Sequence, residues 1–175
     1  MNVQDSTRIP GLKIIQPEIA RDARGEFVCT YTTAGYAFVD DEGQAIGFHE
    51  DDISLSKHNV LRGLHGDAVT WKLIHCLHGA VYYVVADMRR GSPAYRSWQS
   101  FELSAENRTQ ILVPAGCANG FWVRSELCLF GYKQSRLYSG SNRQFTVRWN
   151  DPALAIDWPA DEPLLSPRDA EAALL

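Results

Sequence analysis

Between Lys57 and Leu73 the chain reads KHNVLRGLHGDAVTWKL, which places Lys57, His58, Arg62, His65, Asp67 and Lys72 within one short stretch. Histidine is the side chain best suited to take and return a proton near neutrality, and a lysine or arginine beside it can hold an oxygen on which charge develops. Gly63 and Gly66 bracket His65. Glycine admits tight turns and close approaches, so this spacing predicts a bend with the His65 ring open to a ligand. A polar loop between two strands accounts for the same pattern. Lys72 begins a second stretch of interest: in Trp71–His78 alternation puts it on one face with Ile74, Cys76 and His78,. There it either lies at the rim of a pocket, is buried against an anion, or snorkels from a strand edge.

Other chemistries leave no trace. The five histidines, His49, His58, His65, His75 and His78, contain no H-x-H pair and no metal-ligand spacing with a glutamate, so the expected site is metal-free,. There is no glycine-rich phosphate loop and no dinucleotide fingerprint, and no cofactor is expected. A formal charge of -4 gives no basic footprint for nucleic acid, although a local basic cluster could hold a phosphorylated small molecule,.

The elements that must position these groups are short. At 175 residues, with 45% hydrophobic and 22% charged side chains and no break in composition, the chain is expected to form one domain over residues 1–175,. Its longest apolar run, Val81–Ala86, cannot span a bilayer, and its N-terminus lacks a secretory h-region, which predicts a cytoplasmic protein without membrane contact,. Cys29, Cys76, Cys117 and Cys128 show no CxxC spacing and read as buried, reduced and structural,.

Segments rich in β-branched and aromatic residues, bounded by Gly, Pro, Asn or Asp, predict strands at Leu12–Gln16, Gly25–Thr33, Trp71–Leu77, Ala80–Asp87, Trp98–Leu103, Gln110–Val113, Gly120–Val123, Leu127–Lys133 and Thr146–Trp149,. His78-Gly79 reads as a hairpin turn. Ser166, Pro167 and Asp169 predict the N-cap, first residue and capping-box acid of one short C-terminal helix,. The fold expected is all-β, an eight-stranded jelly roll with a central pocket.

DARGEF at Asp22–Phe27, NVLRGLH at Asn59–His65, Lys72-Leu73, ADMRRGSP at Ala86–Pro93, ELSAENRTQ at Glu102–Gln110, VPAG at Val113–Gly116, Tyr132-Lys133, WNDPALAIDWP at Trp149–Pro159 and LSPRDA at Leu165–Ala170 follow one another along almost the whole chain. In this order they resemble the segments of the dTDP-4-dehydrorhamnose 3,5-epimerase family of cupin-type jelly rolls. The resemblance implies a nucleotide-sugar isomerase that inverts C3, C5 or both of a 4-keto sugar, in deoxysugar or polysaccharide precursor synthesis, as a homodimer paired through its N-terminal strands. It further implies that His65 is the base, Asp169 its carboxylate partner and Tyr132 the general acid. Arg62 and Lys72 would surround the sugar and its oxyanion. Arg24 would reach the diphosphate from a neighbouring subunit, with Glu26 and Phe27 falling where the family contacts the nucleotide.

The chemistry behind these roles is general. A 4-ketone acidifies the C–H bonds at C3 and C5 because the carbanion delocalises into an enolate. Inversion then needs a base on one face, an acid on the other and a group to hold the oxyanion. The chain departs from the family pattern at CANGF, where Asn119 replaces a histidine that lines the sugar site. It departs also at Gly66-Asp67 and at Glu50-Asp51-Asp52-Ile53, which stands where the family tends to read QDNH. These departures look more like a subgroup acting on other nucleotide sugars, including GDP-linked heptoses. Two other readings share the fold: a nucleotide-sugar 3,4-ketoisomerase, which would carry a second histidine where Gly66-Asp67 stands, and a non-catalytic binding module, which would not need both His65 and Tyr132.

Overall fold

In the strand Ala80–Asp87, Val81, Tyr83 and Val85 join one apolar cluster while Val84 and Ala86 join another. Period-2 alternation demands this of a strand covered on both faces. The computed structural model describes residues 1–175 and contains β1 (Asn2–Asp5), β2 (Lys13–Gln16), β3 (Ile19–Asp22), β4 (Gly25–Val28), β5 (Glu50–Lys57), β6 (Leu61–Gly66), β7 (Lys72–His78), β8 (Ala80–Asp87), β9 (Trp98–Ser104), β10 (Gln110–Val113), β11 (Cys117–Val123), β12 (Leu127–Gln134), β13 (Phe145–Thr146) and the helix α1 (Pro167–Ala170). One sheet has the order β1-β2-β10-β7-β12-β5 and the other β13-β6-β11-β8-β9, all neighbours antiparallel; β3 and β4 form a separate ribbon. This is the two-sheet jelly roll of the cupin type.

The central core lies between the sheets, where Ile74 and Ile111 of the first meet Tyr83, Leu103 and Phe121 of the second. Each fully buried aliphatic side chain there contributes roughly 1.5–3 kcal/mol. The outer faces are covered by loops. Tyr36 and Ile46 pack on Ile15, Leu73 and Leu112, and Val147, Leu154 and Trp158 pack on Leu61, Leu64 and Val84. The second cover leads the chain to α1, whose N-cap is Ser166 and whose first residue is Pro167, as the sequence predicts.

Several elements differ from the expectation. The strand expected over Gly25–Thr33 ends at Val28, and pairing near Thr146 is confined to Phe145 and Thr146 against Gly66 and His65. β1, β3, β5 and β6 have no counterpart among the predicted strands. His78-Gly79 is no hairpin turn, because β7 and β8 belong to different sheets; Gly79, at φ 78°, carries the chain from one sheet to the other,. Cys76, Cys117 and Cys128 are buried and unpaired, whereas Cys29 is exposed because β4 stops short of it. No helix is long and apolar enough to cross a membrane.

Candidate active site

His65 lies in a strand, not at a bend. It is a residue of β6, paired in register with Asn119 of β11, and its side chain is 23% exposed. Strict alternation would send Arg62 and His65, three apart, to opposite faces. The β6–β11 register shifts between Asn119 and Phe121, and both side chains line the same pocket,. Gly63 permits this: its φ is 121°, and a Cβ there would stand 2.7 Å from the Asn119 carbonyl oxygen. The glycines around His65 therefore serve close strand approach where the sequence suggested a turn.

The short helix aims one carboxylate at this strand. Asp169 Oδ1 lies 2.5 Å from His65 Nε2, and Asp169 Oδ2 accepts from the Ser166 hydroxyl at 2.9 Å. Burial pushes the Asp169 carboxyl up, but its bonds to His65, Ser166 and the Gly63 N–H outweigh burial and hold it below its ordinary value,. A carboxylate on Nε2 draws the proton of the neutral ring to that nitrogen and leaves the lone pair on Nδ1. The imidazole is thus held in one tautomer with a free basic nitrogen. Asp169 also meets the capping expectation in part, since its backbone N–H donates to Ser166 Oγ at 3.2 Å.

The pocket around this pair has a volume of about 730 Å³ and opens between the two sheets. That is the size range of small-ligand sites. β12 contributes Tyr132, whose phenol is pushed up by burial and then by the nearby Asp52 carboxylate. β7 contributes Lys72, only 8% exposed, whose ammonium is pushed down by burial. Arg62 donates through Nε to Ser56 Oγ at 2.9 Å, and Asn119 donates through Nδ2 to the His65 carbonyl at 2.9 Å. Six of the sequence-derived residues thus converge: His65, Asp169, Tyr132, Lys72, Arg62 and Asn119 all line the same space.

Arg24, Glu26 and Phe27 do not join them within this chain. They sit on the β3–β4 ribbon, outside the pocket lining. Arg24 is held at the turn by Asp22, with Nη2 2.6 Å from Oδ2, and its side chain is 90% exposed. Glu26 is paired with Arg108 and Arg21, and Phe27 is 73% exposed. The ribbon presents Arg24 and Phe27 outward.

The structure adds residues that the sequence reading assigned no role. Arg168 lines the pocket beside Asp169, bonded through Nε to Thr146 and through Nη1 to Gln144, while its buried Nη2 has no partner. Its neighbour in LSPRDA was the available signal. Glu50, Asp52 and Ser54 of β5 line the opposite wall. No three His, Cys, Asp or Glu side chains converge as a metal-binding group.

A histidine held by a carboxylate, a phenol, a buried lysine and two arginines, enclosed between the sheets of a jelly roll, is the equipment of a cupin-type isomerase. The chain belongs to the dTDP-4-dehydrorhamnose 3,5-epimerase family, whose model matches residues 6–175. A dTDP-4-dehydrorhamnose 3,5-epimerase of Salmonella typhimurium is 40% identical over 179 residues, covering 100% of this chain and 96% of the relative. A dTDP-4-dehydrorhamnose 3-epimerase of Streptomyces niveus is 36% identical over 173 residues, covering 95% of this chain and 81% of the relative. Among solved structures, dTDP-6-deoxy-D-glucose-3,5-epimerase from Legionella pneumophila in complex with dTDP-4-keto-L-rhamnose has a TM-score of 0.89 and 39% identity, covering 99% of this chain and 92% of that one.

Proposed function

We propose that this protein epimerises a dTDP-linked 4-keto-6-deoxyhexose at C3 and C5 by proton transfer through an enolate, without cofactor or metal. The observation that carries the reading is the His65–Asp169 pair in one pocket with Tyr132. His65 takes the proton next to the ketone, and Asp169 stabilises the imidazolium that forms. Tyr132 returns a proton to the other face of the same carbon. Lys72, buried and without an ion-pair partner, holds the enolate oxygen, where scarce water strengthens the attraction,. No electron changes hands, so the chemistry calls for no redox group.

Arg62 stands with Lys72 around the sugar on this reading, Arg168 faces the diphosphate, and Asn119 orients the sugar. A second copy of the chain supplies Arg24, with Glu26 and Phe27 beside the nucleotide. The exposed Phe27 on the ribbon, the outward Ile53 and Leu55 of β5 and the edge strand β1 with all four residues exposed support a homodimer,. Thymidine is preferred over the guanosine-linked alternative because the relatives described above are named for dTDP sugars. Four unpaired cysteines suit a reducing, cytoplasmic setting,.

The test is incubation with dTDP-4-keto-6-deoxyglucose in deuterated water, followed by proton NMR. Deuterium at both C3 and C5 with inverted products is expected. Label confined to C3 makes the protein a 3-epimerase, like the Streptomyces niveus relative. Label at neither carbon, or turnover only of GDP-linked sugars, overturns the reading.

A further inference from the structure

The acid half of the site has a neighbour that the roles above leave unused. Asp52 of β5 and Tyr132 of β12 are partners in the antiparallel ladder. Directly opposite side chains leave such a pair on the same face, with Cβ atoms about 4.5–5.5 Å apart. Both line the pocket. Gln134, two residues along β12, donates through Nε2 to Asp52 Oδ2 at 2.9 Å, so the carboxylate is fixed against the sheet beside the phenol.

This placement opposes the rest of the pocket. Lys72, Arg62 and Arg168 put cationic groups around the same space from β7, β6 and α1. Cations favour the phenolate, and a tyrosine ionised between turnovers has no proton to give. A carboxylate directly across the ladder counters them.

Resting on the epimerase reading for its catalytic meaning, we propose that Asp52 is a positioning residue for the acid step: its carboxylate, held opposite Tyr132 by Gln134, keeps the phenol in its proton-donating form. The charge balance agrees. Burial is the largest influence raising the Tyr132 phenol and Asp52 the next, with Tyr138 and Glu50 adding to them and Arg62 opposing. Glu50 is further along β5, and its carboxylate already accepts from the Tyr138 backbone N–H. On the far wall the His65–Asp169 pair completes the titratable groups that face Tyr132, whose ladder partner on the β7 side is the apolar Ile74.

The experiment reads the phenol directly. Protein labelled with ¹³C at tyrosine Cζ is titrated without substrate, and the Tyr132 signal is identified by its loss in Tyr132→Phe. In Asp52→Asn, which keeps an oxygen for Gln134 to bond, the Tyr132 midpoint is expected about one pH unit below wild type. Asp52→Glu restores it. The alkaline limb of the kcat profile moves by the same amount at unchanged KM. Should Asp52→Asn not fold, Asp52→Ser is expected to give the same displacement. A Tyr132 midpoint equal to wild type in the neutral variants overturns the proposal. Because the titration needs no turnover, it separates this inference from the fate of the substrate assignment.

Discussion

His65 Nε2 and Asp169 Oδ1 stand 2.5 Å apart across 104 positions of sequence, with β6 supplying one and a four-residue helix the other. The helix is too short to be stable alone, so packing of residues 147–165 on β6 and β8 is what delivers the carboxylate,. Asp169→Asn keeps the volume but lets the ring adopt the wrong tautomer and leaves the imidazolium without its counter-charge. A fall in kcat of about 10²–10⁴-fold is expected, with the melting profile at neutral pH still cooperative. Wild-type rates of deuterium wash-in by Asp169→Asn would remove the base assignment.

The same pair gives the fold a pH dependence of known sign. The Asp169 carboxyl lies below its ordinary value of 3.8 in the folded chain. As pH falls, the unfolded chain therefore binds this proton first, and the stabilisation is complete above the unfolded value and lost as pH drops through the folded one. Urea midpoints measured between pH 6 and pH 3 should decline less steeply in Asp169→Asn than in wild type. Parallel declines would show that this group does not contribute.

Tyr132→Phe separates proton removal from proton return. His65 still exchanges substrate hydrogen with solvent, but the opposite face lacks a donor, so exchange continues while inversion drops by about 10²-fold or more. Proton NMR in deuterated water reads both at once. If exchange and inversion fall together, Tyr132 is not the acid of this scheme.

How much of this was legible in the sequence differed from strand to strand. β8 and β10 announce themselves because both their faces are apolar and buried. β5 did not: in EDDISLSK the polar Asp52, Ser54 and Ser56 turn inward, while Ile53 and Leu55 point outward at 65% and 59% exposure. A strand lining a polar pocket reverses the usual pattern, so local reasoning fails where the function lies. His65 was visible through its chemistry, yet the bracketing glycines pointed to a bend. Their reason was the approach of β11, a contact between residues more than fifty positions apart. The ribbon residues Arg24, Glu26 and Phe27 were named from resemblance alone, and the single chain leaves them on its surface.

Lys72 should show function opposing stability. It is 8% exposed, and burial pushes its ammonium down, so its charge is held at a cost,. A lysine lowered in the folded state destabilises most below its folded pKa, and the penalty lifts as pH rises through that value. Lys72→Met is expected to raise stability by about 1 kcal/mol near neutrality, as apolar replacements of buried charges often do. It should also cut kcat/KM by about 10²-fold or more, because the enolate loses its cation. Calorimetry and turnover check the two halves; a less stable but fully active variant contradicts both.

The assignment of Arg24 to a neighbouring subunit can be decided by mixing two inactive proteins. Arg24→Ala retains its own His65, and His65→Asn retains its own Arg24. In a mixed dimer the pocket of the Arg24→Ala chain receives an intact Arg24 from its partner. If the arginine acts across the interface, that pocket is complete and the other is not. Random mixing makes half of the dimers mixed, each with one competent pocket, so about a quarter of wild-type activity should return after equal amounts are unfolded and refolded together. If Arg24 acted within its own chain, every pocket in the mixture would carry a defect and no activity would return. Its position argues for the first outcome, since the side chain is 90% exposed, held outward by Asp22 and absent from its own chain's pocket lining.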